Sequence, residues 1–347
     1  MGCEILEHKI AGFRALTLTN GEYSLIVVPE KGADIISVRD EKSDTEFLWT
    51  SPFGLKSRDE VLGKNFIDNY EGGWQECFPT GGPAINYRGA VIGQHGEVHA
   101  LPWKVVELAQ DPNEISVTLE VVTTKTPFRL RKKITMRNHS GMIEIDEWVT
   151  NEGSEDLPII WGHHPALGGN FLDENCKIDT LAARVFSYTL PENAETGQFA
   201  QNVSGAWPML QNKRGELVDV SEIPPASART ADMLFIDGFT DGWISITNRE
   251  RKVGIAYLFD PKIFTTMWFW QMYGGGTGYP WYGRAYTLAL EPFTGIPDPR
   301  AADIDAVAGT RTVKARETLH NRLRVLLYHG IKGVGRITPD GVIVPRI

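Results

Sequence analysis

A chain of 347 residues with 42% hydrophobic and 23% charged content has a globular composition and is long enough to bury a full core. The formal net charge of −9 argues against a nucleic-acid or anionic-membrane partner, and no apolar run approaches the ~20 residues of a membrane span. Three widely spaced cysteines, Cys3, Cys77 and Cys176, argue against a disulfide framework or a structural zinc site. No charged-then-apolar leader precedes the first strand signals, so the expected location is the cytoplasm. The charge is uneven. From Arg311 onward eight Lys/Arg face two acidic residues, and that basic tail reads as a solvated edge strand and hairpin.

Residues 14–50 read as strands separated by turns at Asn20-Gly21 and Lys31-Gly32. Residues 51–70 are polar and irregular, as in a long loop. In residues 70–83, four glycines and two prolines among fourteen residues exclude a helix. There Trp74, Gln75 and Glu76 offer a stacking ring and hydrogen-bonding groups to a polyol, or form a connector around a core tryptophan. His95 and His99 lie four apart, a metal-binding spacing on a helix, but Gly93, Gly96 and Pro102 oppose a helix. Gly96 also stands where a metalloprotease pattern needs Glu, so no metal is expected. From Trp103 to Asn151 apolar and charged residues alternate with a period of two, as in antiparallel strands with one wet face.

The stretch Leu157 to Gly169 carries an apolar strand signal into His163-His164, then Pro165 and Gly168-Gly169. Successive side chains of a strand face opposite ways, so both imidazoles reach one pocket only if the backbone bends. A tryptophan, two glycines and a proline around an imidazole suit the floor of a small-molecule cleft. Residues 170–230 read as loops with short strands. In Phe264 to Gln271, alternation sends Trp268 and Trp270 to one face and Phe269 and Gln271 to the other. Gly274 to Gly278 is a flexible loop without the Lys and strand-to-helix setting of a phosphate cradle. Tyr286 to Gly295 is a strand with Glu291 just before a proline. The expected architecture is all-β: two large packed antiparallel sheets, short helices only, and one domain over residues 1–347.

Two imidazoles and a carboxylate, His95, His164 and Glu291, with no Ser or Cys nucleophile, suit proton transfer rather than acyl transfer. Several motifs in order carry a resemblance: His95-Gly96 with Pro102-Trp103, Thr126-Pro-Phe-Arg-Leu130, Gly162-His-His-Pro-Ala-Leu167 and Leu290-Glu-Pro-Phe-Thr-Gly295. Together with the opening strands they resemble the aldose 1-epimerase (galactose mutarotase-like) family. That resemblance implies a β-supersandwich that interconverts sugar anomers without a metal or organic cofactor. It implies Glu291 as general base, His164 as general acid and His95 as a second histidine on the sugar. Asp232 falls where the family keeps a substrate-binding Asp. Trp74, Gln75, Glu76, His163, Trp268, Trp270 and Gln271 are the further expected sugar contacts.

Residues 70–83 lack the Asn-Arg motif of the galactose enzymes, so galactose itself is not implied. Glu97 replaces the Phe-Ala-Arg of the hexose-6-phosphate branch, which points to a non-phosphorylated sugar. The expected partner is thus a small sugar, with the protein a monomer or homodimer. The competing reading is a non-catalytic carbohydrate-binding or glucan-processing domain of the same fold.

Overall fold

The computed structural model of the protein describes residues 2–60, 65–188 and 196–346. Among them, strand accounts for 50% and helix for 4%, the latter only as short 3-10 turns. No helix among the described residues is long and apolar enough to cross a membrane. The parts of the 51–70 and 170–230 readings at 61–64 and 189–195 lie outside the described residues.

Two large antiparallel sheets dominate. The twelve-stranded sheet begins with the meander Glu4–Ile10, Phe13–Thr19, Tyr23–Val28 and Asp34–Asp40. It continues through Trp74–Cys77, Gly162–Leu167, Tyr286–Phe293, Thr266–Tyr273 and Thr230–Asp237, so its centre draws on strands far apart in sequence. The eight-stranded sheet runs Cys176–Thr180, Trp243–Asn248, Val253–Leu258, Thr318–His329, Met142–Asn151, Phe128–Arg137, Glu114–Val122 and Lys104–Gln110. In Phe128–Arg137 and Met142–Asn151 the inner face is buried and the outer face partly exposed, whereas in Glu114–Val122 the outward Ser116 and Thr118 are covered as well. One expectation is corrected here. The basic strand Thr318–His329 is not an edge: it pairs with Met142–Asn151 on one side and Val253–Leu258 on the other. Its odd-numbered apolar residues, Leu323, Val325 and Leu327, are buried, and that inner face outweighs the solvated arginines beside them. Only the last hairpin, Val334–Ile337 with Ile343–Pro345, is peripheral.

The sheets pack through a single large apolar cluster fed by both. Trp74 meets Tyr257 edge-on at 5.4 Å, and Phe78 meets Phe128 at 4.9 Å. Buried polar groups cross the same gap. Lys132 Nζ of the smaller sheet lies 3.0 Å from Glu76 Oε2 of the larger, and His163 Nε2 lies 3.1 Å from Glu147 Oε2. Trp161 donates its indole N–H to Glu76 Oε1 at 3.0 Å, and Asn321 donates to Glu147 at 3.1 Å. A second, smaller apolar cluster lies on the other face of the large sheet. It joins Ala166, Ala231 and Met272 of the strands to Trp49, Phe66, Tyr70, Trp281 and Ala285 of the loops.

Candidate functional site

The centre of the twelve-stranded sheet decides which side chains meet. Gly162–Leu167 lies between Trp74–Cys77 and Tyr286–Phe293, with His164 opposite Gln75 and His163 opposite Glu76. No bend brings the two histidines together. His163 enters the gap between the sheets, and His164 faces the outer surface of the large sheet. Glu291, next to Trp268 in register, emerges on that same surface, where Trp268, Trp270 and Met272 alternate along the neighbouring strand.

These side chains floor a cleft of about 430 Å³, within the range of small-molecule sites. Phe66, Ile67 and Tyr70 from one loop and Gly276 to Trp281 from another supply the walls. His95 closes one side on a backbone with φ +59°. Its own N–H donates to the Gly82 carbonyl at 3.0 Å, and the Gly82 N–H donates back to His95 Nδ1 at 3.3 Å. Nδ1 therefore accepts, which leaves the proton on Nε2. The next residue must be Gly96, because a Cβ there would sit 2.1 Å from the Phe78 carbonyl oxygen.

The titratable groups are close together and buried. His164 Nε2 lies 3.6 Å from Glu291 Oε1, and His164 Nδ1 lies 3.2 Å from the Tyr70 hydroxyl. Rings of Tyr70, His95, Trp270 and Phe66 surround His164 at centroid distances of 5.3 to 5.8 Å. That burial pushes the His164 pKa down to about 4 and the Glu291 carboxyl well up. His95 is also pushed well below the usual imidazole range, by burial and then by the neighbouring His164 and His99. Glu291 Oε2 is buried without a hydrogen-bond partner among the described residues. A carboxylate and an imidazole, both desolvated and in contact, form a proton-transfer pair.

The expected sugar contacts divide by face. Trp268 and Trp270 line the cleft beside Glu291, His164 and His95. Gln75 is on the cleft side in register with His164, but its amide turns away to the Gly72 carbonyl at 2.6 Å and to Glu71 at 3.2 Å. There Lys31 Nζ bridges Asp34 at 2.5 Å and Glu71 at 2.6 Å. Trp74, Glu76 and His163 lie in the gap between the sheets, outside the cleft. Asp232 and its cross-strand partner Gln271 also lie outside the cleft lining. The Asp232 carboxylate accepts the backbone N–H groups of Gln198 and Phe199 at 3.0 and 3.3 Å. Glu97 turns from His95 to hold the 124–126 turn, accepting from the Thr124 and Lys125 N–H groups. No group of three or more His, Cys, Asp or Glu among the described residues is arranged to hold a metal.

Replacing Trp74 by Phe is therefore expected to lower the melting temperature, by opening a void against His163 and Tyr257, while leaving sugar affinity unchanged. Calorimetric titration of a bound sugar together with a thermal melt checks both halves.

Sequence reasoning missed Phe66, Tyr70, Met233, Tyr279 and Trp281 as lining residues. One signal was present for two of them. Tyr279-Pro-Trp281 follows directly on a glycine-rich loop, and aromatic residues there lack a strand to pack into.

Comparison of the sequence with curated proteins gives no match. Solved structures do match. A galactose mutarotase-like protein from Clostridium acetobutylicum superposes with a TM-score of 0.67, covering 95% of this chain and 99% of its own, at 16% identity. A galactose mutarotase related enzyme from Lactobacillus acidophilus gives a TM-score of 0.62, covering 93% and 97%, also at 16% identity. A galactose mutarotase-like protein from Lactobacillus casei gives 0.57, covering 90% and 100%, at 17% identity. At such identities the likeness is one of fold, and the chain has the galactose mutarotase-like fold. Residues 10–326 match the family model described as a domain of unknown function, DUF4432, and over that span of sequence the chain belongs to the DUF4432 family.

Proposed function

We propose that the protein is an aldose 1-epimerase acting on a free, non-phosphorylated sugar, with residues 1–347 forming one galactose mutarotase-like domain. The observation that carries this reading is the contact of Glu291 with His164, 3.6 Å apart on the floor of an aromatic-walled cleft. The fold shared with the galactose mutarotase-like proteins supports it. The interleaving of early and late strands in both sheets supports a single domain.

The chemistry follows from the pair. Glu291 takes the proton of the anomeric hydroxyl while His164 protonates the ring oxygen. The bond from C1 to the ring oxygen breaks and the C1 carbonyl forms. The C1 carbonyl then turns, Glu291 returns its proton to the carbonyl oxygen, His164 recovers its own from the chain hydroxyl, and the opposite anomer closes. The pair alternates between carboxylate with imidazolium and carboxylic acid with imidazole. Burial disfavours the charged arrangement, so the pair rests as carboxylic acid with imidazole and passes through carboxylate with imidazolium during the reaction. His95 Nε2–H donates to a sugar oxygen and Trp270 offers its face to the ring, while Trp268 is stacked on Phe293 and backs the floor.

The test is polarimetry of freshly dissolved pure anomers of neutral, deoxy and acidic sugars. Accelerated mutarotation of at least one supports the reading; tight binding of sugars with no acceleration of any would turn it to a non-catalytic binding domain. A pH dependence is also expected. The pair works while it holds one proton. Below about pH 4 the buried His164 gains its proton while Glu291 keeps its own, no base remains, and the rate falls. The acid limb should lie near pH 4 and not near the ~6.5 of a free imidazole. The alkaline limb is set by the raised Glu291 carboxyl, above which no acid remains. A kcat/KM profile over pH 3–10, which reports the groups of the free enzyme, checks both limbs.

A further inference from the structure

The mouth of the cleft carries aromatic side chains that the chemistry at its floor does not use. Tyr279 lines the cleft wall and is 56% exposed; Tyr282, just outside, is 62% exposed. Their ring centroids lie 6.5 Å apart. Beneath them Trp281 packs 5.8 Å from Trp270, so aromatic surface runs from the floor to solvent.

Exposed tyrosines on a slack loop would mean little, but this loop is braced. The Tyr282 N–H donates to the Gly278 carbonyl at 2.7 Å, and the Gly283 N–H to the Gly276 carbonyl at 2.6 Å. The Tyr279 hydroxyl donates to the Asp68 carboxylate, tying the two walls together. Tyr282 is held at φ +50°, a conformation that costs a side chain of its kind and recurs where a loop presents a group to a ligand. Beyond it, the exposed Arg284 guanidinium lies 5.5 Å from the Phe53 ring.

On the epimerase reading, the direction of entry is fixed. Glu291 and His164 are 1% and 6% exposed, so the anomeric end enters first and the far end of the sugar faces the mouth. A substituent on the anomeric oxygen would remove the proton that Glu291 must take. An extended substrate can therefore be extended only at the far end, where the two tyrosines stand. We propose that Tyr279 and Tyr282 form a second saccharide subsite, and that the substrate is the free reducing end of a chain of two or more pyranose units. Tyrosine faces suit the apolar face of a pyranose.

This inference rests on the epimerase reading, and the experiment separates the two. Mutarotation and calorimetric binding would be measured for glucose against cellobiose and maltose, xylose against xylobiose, and mannose against mannobiose. Wild type and Tyr282→Asn are compared; Asn tolerates the left-handed backbone and removes the ring. At least one dimer should exceed its monomer in kcat/KM, and Tyr282→Asn should erase roughly 3- to 10-fold of that gain, the worth of one ring contact. Monomer kinetics should stay unchanged in the variant. Turnover of monomers with no dimer preferred, or a preference that survives Tyr282→Asn, overturns the subsite and leaves the epimerase reading intact. If no sugar is turned over, the epimerase reading fails and binding decides the subsite. Tighter dimer binding lost in Tyr282→Asn upholds it, and equal or absent dimer binding in every pair overturns it.

Discussion

Replacing Glu291 by Gln is expected to slow mutarotation by at least ~10²-fold with little change in KM. The substitution keeps the shape of the side chain and its capacity to hydrogen-bond a sugar, and removes only the ability to take a proton. The group is 1% exposed and its pKa is already driven up by burial, so the neutral amide suits the site at least as well as a carboxylate. The variant should therefore melt no earlier than wild type, which excludes unfolding as the cause of lost rate. His164→Asn should lose a similar factor, and the double variant little more, because the two act on one step. A folded Glu291→Gln protein that turns over an accepted sugar at a near-normal rate would remove Glu291 from the mechanism.

The largest stability effect is expected on the opposite side of the large sheet from the cleft, at Lys132. Its side chain is 5% exposed, pairs with Glu76 at 3.0 Å and lies 4.7 Å from the centroid of the Trp103 ring. Glu147 sits in the same pocket of buried charge; burial raises its carboxyl and the neighbouring His163 works against that. Lys132→Met fills the space but strands the Glu76 charge between the sheets, so a loss of about 3–5 kcal/mol is expected. Adding Glu76→Gln should recover most of it, since the uncompensated charge, not the missing contact, carries the cost. Urea unfolding of the two single variants and the double variant measures the coupling. An unchanged midpoint for Lys132→Met would mean that water reaches this network.

The strands were legible because apolar and polar residues alternate along Phe128–Arg137 and Met142–Asn151, where the outer face is partly exposed. The same rule is silent where both faces are covered. All four residues of Trp74–Cys77 and all six of Gly162–Leu167 are buried, so no polar face shows which way each side chain points. That is why Trp74, Glu76 and His163 were expected at the sugar. Only the pairing of His163 with Glu76 and of His164 with Gln75 sorts them, and register between strands distant in sequence leaves no local trace. Asp232 and Gln271 differ in cause: alternation already sent Gln271 opposite Trp268 and Trp270, Asp232 was expected from the family resemblance alone, and as cross-strand partners they leave the cleft together. Glu291, His164 and His95 were nameable from chemistry and motif. Phe66 and Tyr70 were not, because they act through a loop whose fold over the sheet depends on tertiary packing.

The cleft has a floor made of central strands and walls made of two loops, and the two parts have different freedom to change. A strand flanked on both sides by hydrogen-bonded neighbours can exchange little without shifting its partners. The 274–285 loop touches the floor through side chains alone for most of its length, so it can lengthen, shorten or trade its aromatics while Glu291 and His164 keep their places. Descendants of one such protein could therefore diverge in diet while inheriting the same reaction. On the epimerase reading, grafting this loop between family members would move the choice of sugar and leave the chemical step behind.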